Sequence, residues 1–98
     1  MVVTYKNKSL EKICTNFSKA LRKYGEDIAQ KLYQRLYEIR AAENVELMIQ
    51  NHIGRCHRLE GNRNGQYSID LAQPYRLVFT VSGEKIQIAE IIEITDYH

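Results

Sequence analysis

The spacing of the apolar residues changes once along this chain, and the change falls at Gly54. Upstream, apolar side chains recur every three or four residues, which is the period of an amphipathic helix. Downstream, apolar and polar residues alternate in short runs, which is the period of a strand with one buried face. Residues 2–5, rich in β-branched side chains, predict one further strand before the helices. This order of elements is typical of an α+β domain.

The helical half is predicted to contain two or three helices. The first begins after Ser9, whose hydroxyl suits an N-cap, and its apolar stripe continues to Tyr24. Gly25 breaks this helix, and a second helix follows over residues 26–40. Residues 43–50 are predicted as a short third helix. We expect the first two helices to pack together as a hairpin.

The other half is predicted to contain four strands. Their ranges are 55–59, 66–71, 75–81 and 86–94, and turn-forming segments separate them. The alternation slips near Ala89 and Glu90, which predicts a β-bulge there. We therefore expect two or three helices packed on one face of a mostly antiparallel sheet of four to five strands. A single domain is expected to span residues 1–98.

Composition excludes several classes of protein. The hydrophobic and charged fractions, 44% and 27%, are those of a soluble domain, and no apolar run is long enough to span a bilayer. The first residues lack the features of a signal peptide, so we expect a cytoplasmic protein with no membrane association. Cys14 and Cys56 lie far apart, which predicts reduced thiols. The sequence indicates no metal site, and no cofactor is predicted.

The net charge of +2 is unevenly distributed along the chain. Residues 1–40 hold nine Lys or Arg against four Asp or Glu, whereas residues 77–98 hold one Lys against four acids. The basic helical half is therefore a candidate surface for an acidic protein segment or for a polyanion. The sequence does not choose between these two partners.

Arginine, histidine and tyrosine side chains concentrate in the strand half. A guanidinium group matches the oxygens of a phosphate, and a tyrosine ring can stack on an unpaired base. Each residue also has an ordinary structural interpretation, as a core aromatic or as a solvated surface side chain. Together they predict an RNA-binding surface that comprises Arg55, His57, Arg58, Tyr67 and Tyr75.

Two further residues, Tyr97 and His98, follow the last predicted strand. An imidazole has an unperturbed pKa of about 6.5, so it can accept or donate a proton near neutral pH. Metal-free RNA cleavage needs a base for the ribose 2′-oxygen, cations for the phosphate and an acid for the leaving 5′-oxygen. Arginine, histidine and tyrosine can supply all three functions.

Three motifs in the strand half resemble the HigB group of the RelE/ParE toxin superfamily. They are CHRLEGNRNGQYSI at 56–69, YRLVF at 75–79 and DYH at 96–98. The resemblance implies a RelE-like fold and a toxin of a type II toxin–antitoxin module. It implies a metal-independent endoribonuclease that cleaves mRNA in the ribosomal A site and so inhibits translation. It also implies a helix-turn-helix antitoxin of the HigA type, with operator DNA contacted only through that antitoxin.

The same resemblance assigns roles to four residues. His98 is expected to transfer a proton, and Tyr97 is expected to orient the RNA or to assist that transfer. Arg76 follows the aromatic residue of a strand and is expected to bind the scissile phosphate. Arg63 lies inside the glycine-rich loop and is expected to contact phosphate as well.

Two positions differ from some relatives. Glu60 stands where those proteins have lysine, and Ala72 lies near where they have arginine. A carboxylate at Glu60 would repel phosphate or act as a base itself. One alternative is therefore a weakened homologue that binds its antitoxin and regulates the operon. A gyrase-inhibiting toxin of the ParE type is a further alternative, against which the closing DYH motif argues.

Overall fold

The chain forms a layer of helices on one face of a five-stranded sheet. The structure, a computed structural model, describes residues 1–96, and the predicted catalytic residues Tyr97 and His98 lie outside this range. The strands are β1 (Val2–Tyr5), β2 (His57–Arg58), β3 (Gln66–Asp70), β4 (Tyr75–Ser82) and β5 (Ile88–Asp96). The helices are α1 (Lys8–Thr15), α2 (Phe17–Tyr24), α3 (Glu26–Ala41) and α4 (Val45–Gln50). Two 3₁₀ turns, Ile53–Arg55 and Gly61–Arg63, flank β2.

The strands lie side by side in the order β1-β5-β4-β3-β2. β1 runs parallel to β5, and the other neighbouring pairs are antiparallel. A parallel pair needs a crossover connection, and the helical half of the chain provides it between β1 and the later strands. The predicted α+β class, with helices packed on a mostly antiparallel sheet, is therefore confirmed.

The helical half contains four helices within residues 1–96, where the sequence predicted two or three. The prediction of one continuous first helix is wrong, because Asn16 separates α1 from α2. The side chain of Asn16 caps α2 by accepting a hydrogen bond from Lys19 N at 3.3 Å. Ser9 is not the N-cap of α1. Instead, Asn7 Oδ1 accepts a hydrogen bond from Leu10 N at 2.9 Å. The short asparagine side chain reaches the free N–H groups of a first helical turn.

Helix α3 forms the centre of the core. Its buried side chains recur at three- and four-residue intervals and pack with the inner face of the sheet. Fully buried members of this core are Leu32, Ile39, Ile69, Leu77, Phe79 and Ile91. With 16 residues, α3 is the longest helix of the described part of the chain. No helix within residues 1–96 has the length and apolar character needed to cross a membrane.

A β-bulge in β5 decides which of its side chains face the helices. Val78 pairs with Glu93 and Phe79 pairs with Ile91, so Ile92 is the extra residue. The sequence predicts this bulge but places it slightly too early in the strand. Because of the extra residue, Glu93 lies on the outer face of the sheet while Ile91 lies in the core.

Strand β2 is shorter than predicted because the backbone turns sharply before it. His52, Gly54 and Arg55 have positive φ angles of 55°, 54° and 53°. The turn Ile53–Arg55 therefore replaces the start of the predicted strand. Only glycine fits at position 54, since a Cβ there would lie 2.6 Å from Ile69 Cγ1. The change of apolar period at Gly54 coincides with this tight turn.

Candidate functional site

The outer face of the sheet, opposite the helices, carries mainly polar side chains. Alternation along the strands places every second residue there, because the intervening residues belong to the core. The register aligns Ser68 of β3 with Glu93 of β5 across β4. Arg76 lies in the next row, between Asp70 and Thr95. Sheet pairing therefore brings Arg76 and Glu93 onto one surface.

Arg63 reaches the same surface from the 3₁₀ turn Gly61–Arg63. Its Nη1 lies 2.7 Å from Glu93 Oε1 and donates a hydrogen bond to Gln66 Oε1 at 2.9 Å. The Arg63 and Glu93 side chains are 38% and 37% exposed, so solvent and ligand can reach both. The turn between β2 and β3 thus presents a guanidinium group over the outer face.

The charges of these residues stabilise one another. Hydrogen bonding from Arg63 lowers the pKa of the Glu93 carboxyl, against the opposing effect of partial burial. A hydrogen bond with Thr95 and the charge of Arg76 also lower this pKa. Glu93 in turn raises the pKa of Arg63. Glu93 is therefore ionised at neutral pH, and two cations surround one anion.

Arg63, Glu93 and Arg76 are called the outer-face cluster below. A guanidinium group binds phosphate through planar, forked hydrogen bonds, and two such groups can share one phosphate. Glu93 holds Arg63 by the 2.7 Å ion pair. Partly exposed ion pairs contribute little to stability, so this pair serves mainly to orient Arg63. The cluster is chemically suited to hold an anionic group.

The predicted RNA-binding tyrosines lie on the other face of the sheet. Tyr67 stacks on Phe79 with ring centroids 5.7 Å apart, and Tyr75 contacts Tyr24 of α2 edge to face at 5.4 Å. Arg58 pairs with Tyr67 in the register and lies on the same side. The predicted surface is therefore divided between two faces, because adjacent strand residues point in opposite directions.

Arg55 and His57 lie at the β2 edge of the sheet. Arg55 Nε donates a hydrogen bond to Asp70 Oδ2 at 2.6 Å, and His57 Nδ1 lies 2.7 Å from the Arg55 carbonyl oxygen. Glu60 is exposed and immediately precedes the turn Gly61–Arg63. Glu60 thus lies at the start of the turn that carries Arg63, whereas Arg55 is held by the carboxylate of Asp70.

Glu93 is the residue of the outer-face cluster that sequence reasoning missed. Alternation along β5 is the signal that can reveal it, since a polar residue between buried isoleucines must point away from the core. The bulge at Ile92 interrupts that alternation and hides the signal. Gln66, which accepts a hydrogen bond from Arg63, was missed as well, because the sequence does not show where the turn Gly61–Arg63 directs its side chains.

Both cysteines are unpaired thiols, as predicted. Cys14 and Cys56 are buried, and burial raises the pKa of each thiol to about 11. Both therefore remain protonated at neutral pH and are poor nucleophiles and metal ligands. Within residues 1–96 no three His, Cys, Asp or Glu side chains lie close enough to hold a metal ion.

A family model described as the RelE-like toxin HigB of type II toxin–antitoxin systems matches residues 3–98. The chain belongs to this family. The match includes both arginines of the outer-face cluster and the closing residues Tyr97 and His98. No curated protein sequence matches this RelE-like toxin.

Solved toxin structures share the fold of this RelE-like toxin. A YoeB/ParE toxin from Agrobacterium tumefaciens has a TM-score of 0.67 at 17% identity, with complete coverage of both chains. YoeB in a YoeB–YefM complex from Staphylococcus aureus has a TM-score of 0.63 at 22% identity, covering 100% of this chain and 97% of the other. A YafQ mutant from E. coli has a TM-score of 0.54 at 13% identity, with 97% and 91% covered. At these identities the likeness establishes the common fold.

Proposed function

We propose that this toxin is an endoribonuclease that cleaves mRNA on the ribosome and so inhibits translation. Its membership of the RelE-like toxin family supports a toxic activity. The observation that carries the proposal is the outer-face cluster, in which Arg63 and Arg76 surround one ionised carboxylate on an accessible sheet face. Two adjacent guanidinium groups are suited to bind the phosphate at which RNA is cut.

The proposed reaction needs no metal and no water in its first step. A base removes the proton of the ribose 2′-hydroxyl, and the 2′-oxygen attacks the adjacent phosphorus. The bond to the 5′-oxygen breaks, and an acid protonates that oxygen as it leaves. The products are a 2′,3′-cyclic phosphate and a free 5′-hydroxyl. Negative charge accumulates on the phosphate oxygens in the transition state, where guanidinium groups stabilise it.

Within this proposal each of the four predicted catalytic residues has a distinct role. Arg76 binds the scissile phosphate, and Arg63 contacts it from the turn above the sheet. His98 protonates the leaving oxygen, and Tyr97 orients the RNA. In support, β5 ends at Asp96, whose partner in β4 is Tyr75, next to Arg76. Asp96, the last residue that the structure describes, is therefore at the end of the sheet where Arg76 lies.

The two nearby carboxylates have different proposed roles. Glu93 has a lowered pKa and an arginine partner, so it is a weak base and a suitable positioning residue for Arg63. Glu60 is exposed beside the same turn and is the candidate base. Glu60→Gln separates these roles, since loss of a base slows RNA cleavage, whereas loss of a repulsive charge strengthens RNA binding.

The proposed protein partner is a helix-turn-helix antitoxin of the HigA type, through which the toxin reaches operator DNA. The S. aureus relative is described in complex with the protein YefM, which supports a protein partner for this chain. The proposed site of action is the ribosomal A site in the cytoplasm. Exposed lysines of α1 and α2 offer a basic surface to ribosomal RNA, and they include Lys8, Lys12, Lys19 and Lys23.

Primer-extension mapping of a reporter mRNA tests the proposal in cells that briefly express the toxin. The wild type is expected to produce cuts within translated codons. Arg76→Ala and His98→Ala are expected to reduce these cuts about 100-fold or more, the usual effect of removing a transition-state contact. Lys85→Ala is the control, because Lys85 is an exposed cation in the turn between β4 and β5, away from both proposed RNA-binding surfaces. Growth arrest without mRNA cuts would contradict the proposal and indicate another target.

A further inference from the structure

A second concave surface lies at the β2 edge of the sheet, beside α4. It is a cavity of about 350 Å³, lined by Glu46, Ile49, His57 and Arg58. A neighbouring cavity shares Ile49 and His57 with it, and the first cavity is called the groove below. The groove is not part of the outer-face cluster, and its lining combines charged, planar and apolar groups.

Arg58 forms one planar wall of this cavity. Its Cζ atom lies 5.9 Å from the centroid of the Tyr67 ring, and a hydrogen bond with Tyr67 raises the pKa of the guanidinium. The aromatic ring is thus within cation–π range of the guanidinium group. A guanidinium plane is a stacking surface for an unpaired nucleobase.

His57 offers a second planar group. The 2.7 Å contact of its Nδ1 with the Arg55 carbonyl oxygen requires a proton on Nδ1, because a carbonyl oxygen only accepts hydrogen bonds. This contact fixes the orientation of the imidazole ring. Ile49 adds an apolar side chain to the same lining. The cavity therefore has the flat, partly apolar lining that suits a base.

Glu46 adds an oriented hydrogen-bond acceptor. Its Oε1 accepts a hydrogen bond from Gln87 Nε2 at 3.1 Å. The same Gln87 side chain accepts a hydrogen bond from Val45 N at 2.8 Å, which fixes the amide. Glu46 and Ile49 are three residues apart on α4 and so lie on one face of the helix. The carboxylate is thus held at the rim of an apolar surface.

We propose that the groove of Glu46, Ile49, His57 and Arg58 binds one nucleobase beside the cut and prefers guanine. The inference rests on the proposed RNA-cleaving function. Guanine has two adjacent N–H donors, N1–H and the 2-amino group, which match the two oxygens of a carboxylate. Adenine and cytosine each present a ring acceptor beside their amino group, and uracil presents a single N–H between two carbonyls.

The position of the groove fits a nucleotide near the scissile phosphate. β2 is two strands away from β4, the strand that carries Arg76, so these two strands lie about 10 Å apart across the sheet. The base would therefore belong to a nucleotide that flanks the cut. This arrangement would separate chemistry on the outer face from base selection at the β2 edge.

Fluorescence anisotropy with short single-stranded 2′-O-methyl oligonucleotides tests the proposal on the full chain. These probes lack the attacking 2′-hydroxyl and are not cleaved. One probe has a single guanosine in a uridine background, and matched probes have adenosine or inosine there. The wild type is expected to bind the guanosine probe about tenfold more tightly than the adenosine probe, the discrimination of one bidentate pair. Inosine, which lacks the 2-amino group, should lie between them.

Glu46→Gln is expected to reduce the guanosine-to-adenosine affinity ratio to about one. The matched control is Glu43→Gln, which removes the same charge from an exposed residue just before α4. Removing either negative charge also reduces the repulsion of every probe, so the informative quantity is the ratio and not the affinity. Arg58→Lys keeps the charge but not the stacking plane, and it should weaken binding to all probes about tenfold.

Three outcomes overturn the pocket. They are equal affinity of the wild type for the guanosine and adenosine probes, no binding by the wild type, and an unchanged ratio in Glu46→Gln. The reporter mRNA assay keeps this failure distinct from failure of the proposed function. Cuts within translated codons that depend on Arg76, together with equal affinities for the guanosine and adenosine probes, would reject the base pocket but not the endoribonuclease. Absence of those cuts would reject the endoribonuclease itself.

Discussion

Arg63 Nη1 lies 2.7 Å from Glu93 Oε1 on the outer face of the sheet. The bulge at Ile92 makes this contact possible, because it sets Glu93 opposite Val78 on that face. A carboxylate that orients a phosphate-binding arginine also competes with phosphate for it. We therefore expect Glu93 to act on catalysis through Arg63 and not to touch the RNA.

Replacing Glu93 with glutamine is expected to lower kcat for RNA cleavage about tenfold, because Arg63 is then poorly oriented. KM should stay the same or fall, since a competing negative charge is removed. Initial rates in a purified translation system measure both constants. Glu90→Gln removes a charge from the same face of β5 and should retain wild-type rates. An equal defect in Glu90→Gln would contradict the positioning role.

The Arg63–Glu93 pair should also make stability depend on pH. The pKa of Glu93 is lowered in the folded state, so the pair contributes above the ordinary glutamate pKa of about 4.3. The contribution is lost as pH falls through the lowered pKa. Both side chains are more than one third exposed, so we expect less than about 1 kcal/mol.

Urea unfolding of the wild type and Glu93→Gln at several pH values measures this contribution. The difference in unfolding free energy should be largest at neutral pH and vanish in acid. A difference that increases on acidification would have the wrong sign for a lowered carboxyl pKa.

Gly54→Ala is expected to destabilise the fold by about 3 kcal/mol or more, the range of core overpacking combined with backbone strain. The added Cβ would lie 2.6 Å from Ile69 Cγ1, at a φ of 54°. Gly61→Ala is the matched control, since its φ is 64° but no atom lies within 4 Å of the added Cβ. It should cost only about 1 kcal/mol. Equal losses in urea unfolding would show that steric contact does not matter at Gly54.

Asn7→Ala is expected to cost about 1 kcal/mol of unfolding free energy, because the hydrogen bond to Leu10 N is lost. Ser9→Ala should change stability by less than about 0.5 kcal/mol, since Ser9 is an exposed residue inside α1. Thermal unfolding of the two variants provides the comparison. The reverse order would restore Ser9 as the cap that the sequence predicted.

Part of the candidate site was predictable from the sequence. Arg63 and Arg76 were singled out together, and the structure brings both to the outer face through their common neighbour Glu93. Glu93 itself was not predicted, because a bulge obscures the alternation around it. Tyr67 was predicted to form an RNA-binding surface with Arg55, His57, Arg58 and Tyr75, yet it lies on the helix-facing side of the sheet. A motif shows which residues occur together along the chain, but not which face each one occupies.

The sequence by itself determined the types of element and the division into a helical and a strand half, with the change of period at Gly54. These features follow from local periodicity and from backbone preferences of single residues. Only the tertiary structure decided the parallel pairing of β1 with β5, the ion pair of Arg63 with Glu93 and the groove beside Arg58. Strand pairing joins residues distant in sequence, and a shift of one residue moves a side chain to the opposite face.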